Sequence, residues 1–250
     1  MEFEIKHRPA YALLVARLEP EESIVAESGA MAFTSSNIEV KTRSRGGLLG
    51  GLKTKLLGGQ SFWVNDLVAH GGKGEVGLVS APIGDMERLE INSGSRYAIQ
   101  KQAFVASSPG VTIDTEWQGF TKGIFGQSLF MLKATGQGNI WINVFGAIEK
   151  RTLKAGEHLI VDNFHLAAFS DTCKYNVRKV GGLKATLFSG EGLVVDVEGP
   201  GEVLIQTKNV REFIDWLWPM LEPMVKNEIK SETSSAQGEK HGFQFGKKFG

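Results

Sequence analysis

The sequence predicts an all-β protein built from three tandem copies of one unit, followed by a C-terminal helix. Glycine is unusually frequent, with 31 residues against 7 prolines, and this composition calls for a search for internal repeats. Three glycines that each open an apolar run recur at intervals of 64 and 63 residues: Gly74, Gly138 and Gly201. The even spacing indicates a repeating unit of roughly sixty residues.

Further anchors delimit the copies. A second set of glycines precedes another apolar run in each copy: Gly59, Gly126 and Gly190. Similar turn segments open the copies: Leu18–Glu22, Ile91–Ser95 and Leu153–Glu157. The predicted parts are a first β repeat with a glycine- and leucine-rich insertion (1–90), a second repeat (91–152), a third repeat (153–208), an amphipathic helix (209–229) and a polar, disordered tail (230–250).

Within each copy the pattern predicts strands and tight turns. Short runs rich in β-branched residues are bounded by Gly, Asn or Pro, as at 111–114, 159–162 and 194–197. The segments 134–138 and 198–201 predict hairpins whose glycines supply a positive φ. One-sided hydrophobic alternation favours antiparallel sheets packed face to face, and three related copies favour a pseudo-threefold arrangement.

The C-terminal part departs from the β pattern. Apolar residues recur at helical spacing between Asn209 and Val225, which predicts an amphipathic helix that Pro219 and Pro223 kink or end. The segment 230–240 is polar and poor in apolar residues, so we expect a disordered linker there. Phe213, Trp216 and Trp218 are the aromatic residues of this helix, and we expect them to meet a partner, a bilayer interface or the β body.

Composition excludes several classes of function. The 28 basic residues balance 28 acidic ones, so no global positive charge recruits nucleic acid. Cys173 is the only cysteine, which excludes an intramolecular disulfide framework and favours a reducing compartment. No run of about eighteen apolar residues occurs, and the N-terminal residues do not resemble a signal peptide, so we expect a cytoplasmic protein.

Several separated glycine-rich blocks, in order, resemble the altered inheritance of mitochondria family of uncharacterised proteins. The blocks are Gly46–Lys53, Gly59–Phe62, Phe145–Glu149 and Gly181–Leu193. The resemblance covers about Ala30 to Thr207. It implies three repeats of a β-sandwich fold like that of the tryptophan RNA-binding attenuator protein (TRAP-like), a shortened double-stranded β-helix, and it implies no established activity. Fungal mitochondrial members of this family look linked to inner-membrane organisation, whereas this chain has no Arg- and Ser-rich transit peptide.

The insertion in the first repeat is the main candidate site. It combines basic residues with glycines in a predicted loop: Lys41, Arg43, Arg45, Gly46, Gly47, Gly50, Gly51, Lys53 and Lys55. Such a loop could touch an anionic partner, RNA or lipid headgroups, or it could form a contact between protomers through its leucines. It is not a phosphate-binding loop, because Leu52 separates the last glycine from the lysine.

No constellation of catalytic residues stands out. His158 and His165 are seven residues apart, so a single continuous strand would place them on opposite faces, and no metal site is predicted. Cys173 is expected to be a small, partly buried thiol, and the aromatic residues in predicted strands, among them Trp63 and Trp141, are expected to pack in the core. We therefore expect no catalytic residues, no metal and no cofactor.

The sequence favours a non-enzymatic binding or scaffolding protein that self-associates, with a ring-like trimer as the first expectation and a protein partner as an addition. Three related units leave sheet edges that must be covered or paired. Two alternatives stay open: RNA binding, by analogy with the TRAP-like fold, and peripheral membrane association through the C-terminal helix and tail.

Overall fold

The computed structural model describes residues 1–45, 62–117, 130–179 and 193–241, and it contains two compact units, Met1–Asn209 and Val210–Gly250. In these ranges the first unit forms nineteen strands and one short 3-10 helix, Lys101–Ala103. The strands are β1 (Glu2–Lys6), β2 (Leu13–Leu18), β3 (Ser23–Glu27), β4 (Met31–Thr34), β5 (Ile38–Arg45), β6 (Phe62–Ala69), β7 (Gly74–Leu78), β8 (Met86–Ile91), β9 (Tyr97–Gln100), β10 (Phe104–Ser107), β11 (Val111–Trp117), β12 (Phe130–Gly136), β13 (Gly138–Asn143), β14 (Ile148–Leu153), β15 (His158–Asp162), β16 (Leu166–Ser170), β17 (Lys174–Lys179), β18 (Leu193–Glu198) and β19 (Gly201–Gln206).

The predicted all-β class is confirmed, as are the strands predicted at 111–114, 159–162 and 194–197. Apolar and β-branched residues form these strands because their side chains pack well on a pleated, half-buried surface. The hairpins predicted at 134–138 and 198–201 are wrong, because the strands on the two sides of each turn, β12 and β13, and β18 and β19, lie in different sheets and do not pair. The turn glycines do have the expected backbone, with φ of +96° at Gly136, +140° at Gly138 and +153° at Gly201. These angles lie where residues other than glycine are strained.

The strands form four antiparallel sheets. A four-stranded sheet has the order β1-β2-β7-β4, and a three-stranded sheet has the order β15-β18-β17. Two six-stranded sheets have the orders β5-β6-β3-β10-β13-β8 and β11-β12-β9-β16-β19-β14. The two six-stranded sheets contain strands from successive parts of the chain.

The pairing of strands recurs three times along the chain. Strands β6, β12 and β18 each lie between two partners, namely β3 and β5, β9 and β11, and β15 and β17. In the same way, β7 lies between β2 and β4, β13 lies between β8 and β10, and β19 lies between β14 and β16. We call β2–β7, β8–β13 and β14–β19 the first, second and third strand sets.

The strand sets begin earlier than the repeats that the sequence predicts. The predicted boundaries at 90/91 and 152/153 cut through β8 and β14, whereas the pairing places each of these strands with those that follow it. The difference arises because the sequence anchors lie in the turn after the first strand of each set. The pseudo-threefold arrangement in space and the likeness to the TRAP-like fold stay predictions.

The same side-chain hydrogen bond occurs in every strand set. A serine just after the third strand, or at its end, accepts a hydrogen bond through Oγ from a backbone N–H at the start of the sixth strand. The three bonds are Glu75 N to Ser35 Oγ (2.9 Å), Asn139 N to Ser108 Oγ (3.0 Å) and Glu202 N to Ser170 Oγ (3.0 Å). Each serine therefore satisfies a backbone donor at the start of the sixth strand of its set.

Three clusters of buried apolar side chains form the core. One is built mainly on the first strand set and includes Trp141 of β13, and a second contains Phe104 and most of the buried residues of the second set. The third, around Phe169, belongs mainly to the third set. Each cluster also takes residues from a neighbouring set, so the sets share their cores rather than packing as separate domains.

The helix α1 (Val210–His241) is longer than the sequence predicts. Pro219 and Pro223 lie inside it, four residues apart and therefore on one face, and the helix continues past both although each proline removes one hydrogen-bond donor. The expectation of a helix ending at 229 before a disordered linker is therefore wrong for 230–241. Lys, Glu, Gln and Ala in this segment are compatible with a helix even though they cannot form a core. Residues 242–250 lie outside the described ranges.

Neither α1 nor any other described helix contains a stretch that is long and apolar enough to cross a membrane.

Candidate functional site

The basic residues at the start of the predicted loop lie in a strand. Lys41, Arg43 and Arg45 belong to β5, where alternation of apolar and polar residues from Ile38 onward continues a ladder with β6. The expectation that these three residues form a flexible loop is therefore wrong. The remaining candidates, Gly46, Gly47, Gly50, Gly51, Lys53 and Lys55, lie outside the described residues.

The charges of Lys41 and Arg43 are already paired. Lys41 Nζ lies 2.8 Å from Glu39 Oε2, and Arg43 donates from Nη2 to Asp66 Oδ1 at 2.9 Å and from Nε to the other oxygen of Asp66. The hydrogen bond to Asp66 raises the pKa of Arg43. An anionic partner would have to displace these carboxylates, so this part of β5 does not present free positive charge.

Two carboxylates flank a histidine on this surface. His70 Nδ1 lies 3.0 Å from Glu21 Oε2, and Nε2 lies 2.6 Å from Glu39 Oε2. The hydrogen bond to Glu39 is the main cause of a raised pKa at His70. The carboxylates of Glu21 and Glu39 thus surround the ring, which makes the surface a poor receptor for phosphate groups.

Most aromatic side chains that the structure describes in the strands are at least partly buried. Trp141 is fully buried, with its ring edge-to-face against Phe3 at a centroid distance of 5.2 Å, as expected for a core residue. Trp63 is the exception to the expectation of core packing, because half of its surface is exposed. Among the strand side chains that the structure describes, the exposed rings are Trp63 and Phe33, which lie in different sheets and do not provide the succession of rings on which single-stranded bases stack.

The two histidines of the third strand set have structural partners. His158 Nδ1 lies 2.9 Å from Asp196 Oδ1. His165 lies in the turn after β15, where Nδ1 is 2.7 Å from the Gln206 carbonyl oxygen and Nε2 is 2.8 Å from Asn209 Nδ2. This pattern fits a neutral ring whose Nδ1–H donates and whose Nε2 accepts.

Cys173 is buried in the turn before β17, and burial raises the pKa of its thiol. A thiol with a raised pKa has little thiolate at neutral pH, so it is not an activated nucleophile. In the part of the chain that the structure describes, no group of three His, Cys, Asp or Glu side chains is arranged to hold a metal ion.

The most unusual surfaces are two strand edges that the sequence analysis missed. Among the described strands, β4 has no partner beyond β7 and β15 has none beyond β18. Both strands expose large apolar side chains, with 45% of Met31, 40% of Phe33 and 56% of Ile160 accessible. Both strands contain adjacent apolar residues without alternation, which is visible in the sequence. That these strands lie at sheet edges is not visible in the sequence.

The helix α1 also exposes apolar side chains. Phe213, Trp216 and Trp218 are 41%, 62% and 48% exposed, and the rings of Phe213 and Trp216 lie 5.9 Å apart. Acidic residues outnumber basic ones in this part of the helix: between 210 and 228 the acidic residues are Glu212, Asp215, Glu222 and Glu228, and the basic residues are Arg211 and Lys226. The predicted aromatic surface is thus exposed and carries a slight excess of negative charge.

Comparison with known proteins identifies the family. The model of the family described as Mitochondrial biogenesis AIM24 matches residues 3–208. The chain belongs to this family. The AIM24 match spans β1 to β19 and ends before α1. The resemblance that the glycine-rich blocks indicate is therefore confirmed.

Bacterial proteins resemble this AIM24 chain over most of its length. An uncharacterised protein of Streptococcus pyogenes serotype M6 is 27% identical over 221 residues, which is 85% of this chain and 88% of the relative. A crystal structure of a Streptococcus pyogenes protein superimposes with a TM-score of 0.74 at 27% identity, covering 88% of this chain and 99% of the other. These relatives support the fold and carry no assigned activity.

Proposed function

We propose that this AIM24 protein is a non-enzymatic scaffold that self-associates. The observation that carries the proposal is the pair of open, apolar strand edges, β4 and β15. An unpaired edge presents backbone N–H and C=O groups to any strand that can reach them, and proteins that stay monomeric protect such edges. A protein that leaves two apolar edges unprotected is suited to assembly.

The other sheet edges are protected by charge, which makes β4 and β15 stand out. Charged residues lie within each of the other edge strands of the described sheets: Glu4 in β1, Lys41 and Arg43 in β5, Glu87 and Arg88 in β8, Asp114 in β11, Glu149–Arg151 in β14, and Arg178 in β17. Strand β4 has the sequence Met-Ala-Phe-Thr and contains no charge and no proline. The centre of β15 is Leu159-Ile160-Val161, with polar residues only at its two ends.

The proposal includes no catalytic residue, metal or cofactor. Its support is that the polar side chains discussed above have structural partners, and that one surface depression is lined by charged residues that pair with each other. This depression of about 260 Å³ contains the Arg17–Glu75 pair (3.3 Å) and the Lys73–Glu19 pair (2.7 Å). The buried single cysteine suits a reducing compartment, in accord with a cytoplasmic scaffold.

Sedimentation velocity and native mass spectrometry at micromolar concentration test self-association. We expect the full chain to be a homo-oligomer, with a trimer as the first expectation, and Ile160→Lys to shift it to monomer because a charge at the centre of β15 opposes strand pairing. Ile83→Lys is the matched control, since Ile83 is 55% exposed but lies outside the strands. A full chain that sediments as a monomer would refute the proposal.

A second candidate function is peripheral membrane association through α1. The exposed Phe213, Trp216 and Trp218 favour it, because tryptophan side chains settle at the interface of a bilayer. The acidic excess of the helix opposes attraction to anionic lipids. Flotation of the full chain with phosphatidylcholine vesicles should therefore be reduced by Trp216→Ala/Trp218→Ala, and adding phosphatidylserine should not increase it. Absence of flotation would remove this candidate.

RNA binding is the least supported alternative. It rests on analogy with the TRAP-like fold, and such an analogy is a weak guide to function. Of its candidate residues, Lys41 and Arg43 are engaged by Glu39 and Asp66. A salt-dependent affinity for single-stranded RNA would be needed to restore it.

A further inference from the structure

Two junctions join the three strand sets in the same way. At the first, β10 of the second set pairs antiparallel with β3 of the first set, with Ala106 opposite Ala26 and Ser107 opposite Val25. At the second, β16 of the third set pairs antiparallel with β9 of the second, with Ala168 opposite Ile99 and Phe169 opposite Ala98. In both, the third strand of one set adds to the second strand of the preceding set.

A third junction of this kind is missing. The third strand of the first set is β4, and the second strand of the third set is β15. In the described part of the chain each of these two strands lacks a neighbour on one side, whereas the other second and third strands, β3, β9, β10 and β16, have a neighbour on both sides. The three-stranded sheet β17-β18-β15 and the strands β4-β7-β2 of the four-stranded sheet therefore have the strand orders of the two halves of a six-stranded sheet.

Equivalent residues in the third strands follow from a shared irregularity. The ladders of β4, β10 and β16 with the sixth strand of their set each shift register, between Met31 and Phe33, Phe104 and Ala106, and Leu166 and Ala168. The serine that follows confirms the alignment, because Ser35, Ser108 and Ser170 make the same hydrogen bond. Phe33 thus corresponds to Ala106 and Ala168, and Thr34 to Ser107 and Phe169.

Equivalent residues in the second strands follow from the turn that precedes them. A backbone N–H in each turn donates to the carbonyl three residues earlier: Glu22 N to Glu19 O (3.0 Å), Ser95 N to Asn92 O (3.2 Å) and Glu157 N to Lys154 O (3.0 Å). Counting three residues on from each donor places Val25, Ala98 and Ile160 at one position. Val161 then corresponds to Ala26 and Ile99.

Burial separates the two formed junctions from the missing one. The residues that face each other across the formed junctions are all at most 9% exposed: Ala26, Val25, Ala106, Ser107, Ala98, Ile99, Ala168 and Phe169. Of the four equivalent positions, Ile160 is 56% exposed, Phe33 is 40% exposed and Thr34 is partly exposed, whereas Val161 is buried. Ile160 and Phe33 are apolar, as most residues of the formed junctions are, but no neighbouring strand in the described ranges buries them.

The core clusters predict where Ile160 belongs. Val25 extends from the first set into the cluster dominated by the second set, and Ala98 extends from the second set into the cluster of the third. Ile160, at the same position of the third set, has no described following set to enter. The cluster of the first set is the one that receives no residue in this way from a preceding set.

We propose that β15 of one copy pairs antiparallel with β4 of a second copy, with Thr34 opposite Ile160 and Phe33 opposite Val161. This inference rests on the proposed self-association and names its contact. The joined sheet has the order β17-β18-β15-β4-β7-β2-β1, which repeats the six-stranded order with β1 added at its end. A second copy is the occupant because it supplies the complementary edge, whereas within one chain no ladder joins the first and third sets in the described ranges.

This contact is heterologous, so successive copies close into a ring or extend as a filament. A ring of two copies would have a two-fold axis. A trimer is the smallest ring that has no such axis and in which every contact joins β15 of one copy to β4 of the next. The ring would contain nine strand sets and would leave neither β4 nor β15 unpaired.

Cysteine cross-linking of the full chain tests both the partner and the register. In a Cys173→Ser background, Thr34→Cys and Ile160→Cys are made separately with different tags and mixed under mild oxidation. Opposed strand residues lie within disulfide distance, so we expect roughly tenfold more disulfide dimer, containing both tags, from the mixture than from either variant alone. Replacing Ile160→Cys by His158→Cys is the register control, since it is two residues away on the same face.

The outcomes separate this inference from the proposed function. An oligomer in native mass spectrometry without the mixed-tag dimer, or with equal cross-linking by His158→Cys, would overturn the β4–β15 contact and leave self-association standing. A monomer would overturn both. A doubly substituted Thr34→Cys/Ile160→Cys chain that cross-links only within itself would show closure inside one chain and would also overturn the proposed partner.

Discussion

Arg8 forms a bidentate ion pair with the buried carboxylate of Asp85, with Nε 2.7 Å from Oδ1 and Nη2 2.9 Å from Oδ2. The same Nη2 lies 3.1 Å from Glu87 Oε2. The hydrogen bond to Asp85 is the main cause of a raised pKa at Arg8. The pair connects the segment between β1 and β2 to the segment that leads from the first strand set into the second.

Arg8→Ala should lower the free energy of unfolding by about 2 kcal/mol, because it leaves the buried Asp85 carboxylate without its counter-ion. Urea denaturation of the two proteins measures the difference. Arg151→Ala is the control, since Arg151 lies 2.9 Å from Glu149 in a pair whose side chains are both well exposed, and we expect a loss below about 0.5 kcal/mol. Equal losses for the two variants would contradict a special role for Arg8.

Two adjacent serines in β10 and the following turn should respond oppositely to substitution. Ser108 Oγ accepts a hydrogen bond from Asn139 N, whereas Ser107 Oγ is buried without a hydrogen-bond partner. Ser108→Ala should cost about 1 kcal/mol of unfolding free energy, and Ser107→Ala should be neutral or stabilising because it removes an unsatisfied polar atom. Thermal unfolding of both variants checks the difference, and a larger loss at Ser107 would disprove it.

The sequence predicted the local structure well where short-range chemistry decides it. Runs of β-branched residues define strands such as β11 and β15, and glycines at Gly138 and Gly201 define turns, because both signals act within a few residues. The prediction of a flexible loop was wrong at the charged start of the insertion. Lys41 and Arg43 look like loop residues in the sequence. They can lie in β5 because Glu39 on the same strand compensates the charge of Lys41, and Asp66 on the paired strand β6 compensates the charge of Arg43.

The candidate edges could not be predicted, because they depend on pairing between distant segments. Met31–Thr34 and Phe104–Ser107 are both short apolar strands, and only the register of β10 on β3 distinguishes a covered edge from an open one. The extent of α1 was missed for a related reason. Polarity shows that 230–241 cannot form a core, but it does not decide between a coil and a solvated helix.

Glu27 should make stability depend on pH in an unusual direction. Burial at the end of β3 raises its pKa from about 4.5 to about 7, although the charge of Lys101 opposes the shift. Between these values the folded protein holds a proton that the unfolded chain releases, so this residue's contribution to stability falls as pH rises from about 4.5 to 7.

Glu27→Gln removes this titration. Because Glu27 keeps some contact with solvent, we expect the stability of the natural chain relative to Glu27→Gln to fall by roughly 1–2 kcal/mol between about pH 5 and 8, less than full burial would give. Urea denaturation at a series of pH values measures this difference. A difference that stays constant with pH, or that grows in favour of the natural chain, would rule out the shift.

Gly201 and Cys173 lie so close that a side chain at Gly201 cannot fit. An added Cβ would be 2.6 Å from Cys173 Sγ, 2.8 Å from Thr172 Oγ1 and 2.9 Å from Ser170 Cβ. Gly201→Ala should therefore cost about 2–4 kcal/mol of unfolding free energy through overpacking and backbone strain together. Gly156→Ala isolates the strain, because Gly156 has a φ of +76° and open space around its Cβ position, and it should cost only about 1 kcal/mol.

A double-mutant cycle then assigns the excess to the thiol. Adding Cys173→Ala to Gly201→Ala removes the nearest of the three clashing atoms, so the two losses should sum to more than the loss of the double variant by about 1 kcal/mol. Thermal unfolding of the four proteins gives the coupling. Strict additivity would mean that Thr172 and Ser170, rather than Cys173, set the limit on residue size at the start of β19.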